Sequence, residues 1–158
     1  MKLEQVPATG REKKDHLSPP LKVLSEFYEA LNSKDLEKME KNRAQTDESV
    51  MDNPVGGIKR GWEEIKSAYE RIFSTPAQYH FEFYDYSYHE ADEISFVVGR
   101  ERGEFRVGET LLKMAIRTTR IFRMIDGRWQ QVHHHGSIED PDLLDKYQKA
   151  VKESRYPP

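Results

Sequence analysis

The chain has 158 residues, enough for one domain and one core. Lys and Arg (25) nearly balance Asp and Glu (28), so at a net charge of −3 no basic face marks a nucleic-acid partner. The absence of cysteine excludes disulfides, thiolate catalysis and Cys-based metal sites. No apolar run approaches the roughly 20 residues of a membrane helix, and the start is polar, so a cytoplasmic protein with no membrane partner is expected.

Residues 1–17 mix both charges with Pro and Gly and show no apolar period, which predicts a flexible tail. Ser18-Pro19-Pro20 is a helix start, because proline is tolerated in a first turn whose N–H groups lack partners anyway. Leu24, Phe27, Tyr28 and Leu31 then recur at i, i+3, i+4 and i+7, one apolar stripe. A second, short helix follows Asp35 with Leu36 and Met39, and Ser49–Pro54 reads as a short strand ending in a turn. From Gly61 an amphipathic helix places Trp62, Ile65, Tyr69, Ile72 and Phe73 on one face and stops before Pro76.

Beyond Pro76 the period changes from helical to two. Segments 78–88, 93–101, 109–125 and 128–137 are rich in aromatic and β-branched residues and are separated by turn-like stretches. In 109–125 one face carries Leu112, Met114, Ile116, Thr118, Arg120, Phe122 and Met124, and Asp126-Gly127 turns the chain into the last strand. A final helix starts at Asp140-Pro141 with Leu143, Leu144, Tyr147 and Val151 on one side. Helices followed by a run of antiparallel strands predict an α+β fold: a strongly curved, mostly antiparallel sheet packed against N-terminal helices, shaped as a cone, plus a C-terminal helix. The expected layout is a tail at 1–17, a cone domain at 18–138, and a helix and tail at 139–158.

Two stretches carry a family resemblance. Thr119-Arg120-Ile121-Phe122, with Asp126-Gly127-Arg128-Trp129-Gln130-Gln131-Val132-His133-His134-His135 and Ser137, resembles the end of SnoaL-like domains, above all the calcium/calmodulin-dependent protein kinase II association domain. Asp52-Asn53-Pro54-Val55-Gly56 through Arg60-Gly61-Trp62-Glu63-Glu64-Ile65, with Ala30–Leu36, resembles the ketosteroid isomerases. The resemblance covers roughly residues 20–137 and implies the fold of nuclear transport factor two. It implies no single activity, because this fold hosts enzymes, scaffolds and binding domains. Isomerase catalysis needs a carboxylate base, a tyrosine and a protonated aspartic acid. The resemblance puts Asn53, Phe27 and Arg120 in those places, so all three roles are missing.

Arg120 interrupts an apolar strand face, so an inward guanidinium is expected, and a buried one needs an acidic side chain or a bound anion. Strand alternation puts His133 and His135 on one face with Trp129 and Gln131, and His134 on the other. His133 and His135 are the candidates for general acid or base work or for a hydrogen-bonding role. Two histidines make an incomplete ligand set, so no metal and no cofactor is expected. Tyr28, Trp62 and Tyr69 offer aromatic walls, while Tyr84, Tyr86 and Tyr88 on one strand face suggest an interface of a homodimer or higher homo-oligomer. The resulting expectation is a small-molecule-binding domain for an anionic organic ligand, its pocket lined by some of Tyr28, Asn53, Trp62, Tyr69, Arg120, His133 and His135. A lyase, isomerase or hydrolase using His133 or His135, and an oligomeric scaffold, are the alternatives.

Overall fold

The computed structural model describes residues 2–4 and 6–155, with only the backbone of Lys2 and Glu4. Residues 1, 5 and 156–158 of the two predicted tails lie outside the described residues. The order of elements is β1 (Lys2–Glu4), α1 (Pro19–Ser33), α2 (Leu36–Asn42), β2 (Val50–Asp52), β3 (Lys59–Arg60), α3 (Trp62–Ser74), β4 (Gln78–Glu90), β5 (Ile94–Val107), β6 (Thr110–Ile125), β7 (Arg128–Ser137) and α4 (Pro141–Arg155). Among the described residues no helix is long and apolar enough to cross a membrane.

Local chemistry accounts for the element ends. α1 begins with Pro19 at its first position, and the carboxylate of Asp35 caps α2 by accepting the N–H of Lys38 at 3.0 Å. Asp126 and Gly127 have φ of 51° and 77°, the two positive values that a tight hairpin turn requires between β6 and β7. Gly103 sits where the backbone of β4 comes too close for any side chain, since a Cβ there would overlap the His80 carbonyl.

One open sheet runs β1-β4-β5-β6-β7-β2-β3, antiparallel except for the β2–β7 pair. The α+β cone expected from the sequence is the architecture found. Along β6, Met114, Ile116, Thr118, Arg120 and Phe122 are buried at period two, as the alternation predicted. β5 runs to Val107, six residues past its expected end. The charged run 100–106 masks an alternation that continues inward through Glu101 to Phe105.

The segment predicted as a tail differs in the structure. Lys2–Glu4 pair with β4, and Ala8 exchanges backbone hydrogen bonds with Phe83 and is buried. Glu12 gathers the N–H groups of Thr9 and Gly10 and the hydroxyl of Ser25. Backbone pairing of this kind depends little on side chains, so it leaves no period to read.

Two bulges decide which side chains point inward. On β4, Asp85 and Tyr86 stand opposite the single residue Gly99, with Asp85 at φ 46°. On β7, Val132 is left unpaired between the pairs Phe122–Gln131 and Ile121–His133. Each extra residue moves every side chain beyond it to the other face.

Candidate functional site

The inward faces of β5, β6 and β7 meet α1 and α2 around a buried polar network. Arg120 on β6 is completely buried and forms an ion pair with Glu101 of β5, Nη2 to Oε1 at 2.6 Å. The Tyr28 hydroxyl of α1 donates to the same carboxylate oxygen at 2.6 Å and accepts from Arg120 Nη2 at 3.3 Å. Arg120 Nη1 donates to Gln131 Oε1 at 2.7 Å, and Gln131 Nε2 donates to Asn42 Oδ1 of α2 at 3.0 Å. The Phe27 ring lies against the guanidinium, 3.7 Å from its carbon to the centroid. Burial pushes the Tyr28 phenol well above its ordinary value, the Arg120 charge opposing this and the Glu101 charge adding to it, so it stays a donor.

A second guanidinium lies close by. Arg43 caps α2 and bridges to Gln131, and its side chain is completely buried. Its contact with the Val50 carbonyl is long, 3.5 Å, and among the described residues its Nε and Nη1 have no hydrogen-bond partner. Burial lowers its pKa, and the charge of Arg120 adds to that. Among the described residues Glu101 is the one buried carboxylate. Two guanidiniums are thus buried against one carboxylate, which pairs with Arg120.

The histidines are placed differently from strand alternation. His133 and His135 point to the outer face, where Asp52 lies between them: 3.9 Å to His133 Nε2 and 3.5 Å to His135 Nδ1. His134 points inward, is buried, and packs edge-on against Phe27 with ring centroids 5.8 Å apart. The physical reason is the unpaired Val132. Trp129 and Gln131 lie before the bulge and keep the expected face, and the histidines after it are inverted. Among the described residues neither ring nitrogen of His134 has a hydrogen-bond partner. Burial, then the charges of Arg120 and Arg43, push it well below 6.5, so it is a neutral imidazole. Among the described residues no group of three or more His, Asp or Glu side chains could hold a metal ion.

The remaining space inside the cone is about 50 Å³. Asn53, Tyr69, Arg120 and His134 line it, with Phe27 and with Tyr147 of α4. Tyr28 lies behind this wall in the polar network, and Trp62 is buried at the first turn of α3, away from the cavity. Asn53 turns its Oδ1 to the N–H of Val55 at 3.1 Å. Phe27, Asn53 and Arg120, which the resemblance set in the isomerase positions, all line this cavity. Larger hollows of about 670 and 620 Å³ are open surface grooves that contain none of the predicted site residues.

The aromatic strip is also corrected. The β4 bulge buries Tyr86 and Tyr88 on the inner side, while Tyr84 stays outside under the guanidinium of Arg102. The three rings do not share a face.

Sequence reasoning missed Arg43, Glu101 and His134. Glu101 has a signal, since Val97, Glu101 and Phe105 share one phase of the β5 alternation. His134 requires the bulge to be known, and Arg43, in a loop position after a short helix, has no period to reveal it.

Comparisons with known proteins agree with this fold. No curated protein matches the chain in sequence. Among solved structures, a proposed calcium/calmodulin-dependent protein kinase type II association domain from Thiobacillus denitrificans is similar, with a TM-score of 0.68 at 18% identity over 78% of this chain and 98% of that one. A proposed dehydratase of the nuclear transport factor 2-like family from Streptomyces avermitilis has a TM-score of 0.64 at 18% identity, over 73% and 90% of the two chains. A ketosteroid isomerase-like protein from Erwinia carotovora atroseptica has a TM-score of 0.65 at 19% identity, over 80% and 98%. At such identities these likenesses speak for the fold alone. The SnoaL-like domain family matches residues 21–141, most of the chain, and the protein belongs to that family.

Proposed function

We propose that the domain binds a small organic anion inside the cone, with Arg43 and Arg120 supplying the positive charge and His134 and Asn53 the hydrogen-bonding groups. The observation that carries this reading is the charge imbalance of the interior: two buried guanidiniums against one buried carboxylate. An uncompensated buried charge costs several kcal/mol, a cost that a ligand carboxylate offsets. Because Glu101 and Tyr28 hold Arg120, the unpartnered donors of Arg43 mark where the surplus lies. Binding is favoured over turnover. The interior acid is locked in the Arg120 pair, and a histidine held well below 6.5 is a weak proton acceptor.

Thermal melts of the whole protein against acetate, benzoate and larger monocarboxylates test the proposal. A carboxylate at about a hundred times its dissociation constant adds about 2.7 kcal/mol of stability. Arg43→Met is expected to melt higher than the parent without ligand, because a lone buried charge is gone, and to lose the carboxylate response. A response that persists in Arg43→Met, or none in the parent, removes the proposal.

A further inference from the structure

α4, Pro141–Arg155, begins where the family match ends at residue 141. One side of it is buried through Tyr147, Ala150, Val151 and Ser154. Tyr147 packs edge-on against Phe105, centroids 5.2 Å apart, and its ring walls the interior cavity beside Asn53, Arg120 and His134. Among the described residues a single side-chain hydrogen bond ties α4 to the body, from Gln148 Nε2 to the Pro54 carbonyl at 3.1 Å. α1 is held more firmly: Asn32 pairs with both backbone groups of Phe81 at 2.8 Å, and Tyr28 joins the Arg120 network. The cavity that α4 closes is about 50 Å³. Pockets that hold drug-sized organic ligands measure roughly 300–1,000 Å³.

We propose that α4 is a displaceable plug and that Tyr147 occupies the space a ligand takes, so that ligand entry exchanges the tyrosine ring for the ligand's own body. The proposal rests on the interior-binding reading and adds its gate: α4 belongs to the low-stability part of the molecule and opens without global unfolding. The size of ligand admitted is set by how far α4 moves.

The cysteine-free sequence permits a direct test. Ala150→Cys in α4 and Ala30→Cys in α1 each place one thiol at a buried alanine, 5% and 0% exposed. Both full-length variants are reacted with an aromatic disulfide reagent under native conditions. If α4 opens alone, Ala150→Cys reacts at least about tenfold faster than Ala30→Cys, and dilute urea hardly changes its rate while accelerating the other. Equal protection of the two thiols overturns the plug. Full-length Tyr147→Ala is also melted with benzoate and with toluene, both sized for the space of the lost ring. Stabilisation by benzoate alone supports the plug and the anion reading together. Stabilisation by both probes supports the plug and removes the anion reading. Stabilisation by neither overturns the claim that Tyr147 fills ligand space.

Discussion

Arg120 and Arg123 stand three residues apart on β6 and face opposite sides of the sheet. Their ion pairs have nearly the same length, 2.6 Å to Glu101 and 2.5 Å to Glu48. The Arg120 pair is closed off from solvent, with side chains 0% and 5% exposed, whereas those of Arg123 and Glu48 are 43% and 68% exposed. Distance therefore does not rank these pairs. Outside, water solvates both charges whether or not they meet. Inside, each charge depends on its partner, and removing one leaves the other uncompensated in a medium of low polarity. The outer face carries further exposed pairs of this loose kind, Arg102–Glu82 and Arg117–Glu139 among them. The inner face carries one tightly shared carboxylate and a guanidinium to spare.

Breaking the inner pair gives the largest effect expected. Arg120→Met or Glu101→Leu alone loses about 3–5 kcal/mol in urea unfolding, and the double variant recovers most of the loss. If the double variant is as unstable as the sum of the singles, the pair is not the unit described. An intermediate effect comes from His134. Its pKa is well below 6.5 in the fold, so between those values the unfolded chain binds a proton that the folded chain refuses. Stability is then complete above about pH 6.5 and falls as the pH drops below it, by up to about 1.4 kcal/mol per unit from this group. Melts of the parent and of His134→Phe from pH 7.5 down to 5 check the sign, because the variant should fall less steeply. The smallest effect belongs to the outer pair. Arg123→Ala should cost less than about 1 kcal/mol at low salt, and the difference should shrink toward zero in molar salt. A salt-insensitive loss of several kcal/mol there would erase the contrast between the faces.

The contrast is partly legible in the residues themselves. Arg120 falls in phase with Met114, Ile116, Thr118 and Phe122, so its inward direction follows from alternation alone. Its partner does not, because alternation turns Glu101 inward, but choosing it among 28 acids requires the register that sets Arg120 beside Val97. The histidines show the opposite failure. Alternation is sound on each side of Val132 and wrong across it, so His133 and His135, expected at the pocket, flank Asp52 outside, and His134 takes the inner place. The same error, one bulge earlier, produced the aromatic strip of Tyr84, Tyr86 and Tyr88.

What the sequence by itself determined about this protein is what depends on short range: helix starts at Pro19 and after Asp35, the Asp126–Gly127 turn, the alternating strands, and through them the α+β cone. These follow from local sterics and from the period at which apolar side chains must be buried. Tertiary structure alone decided which residues share the interior. A bulge is one extra residue with no composition of its own, placed by strand pairing across the sheet. It inverts every side chain beyond it. The joint burial of Arg43, Glu101, Arg120 and His134, and the closing by Tyr147 of the cavity that the last three of them line, are products of that pairing and packing.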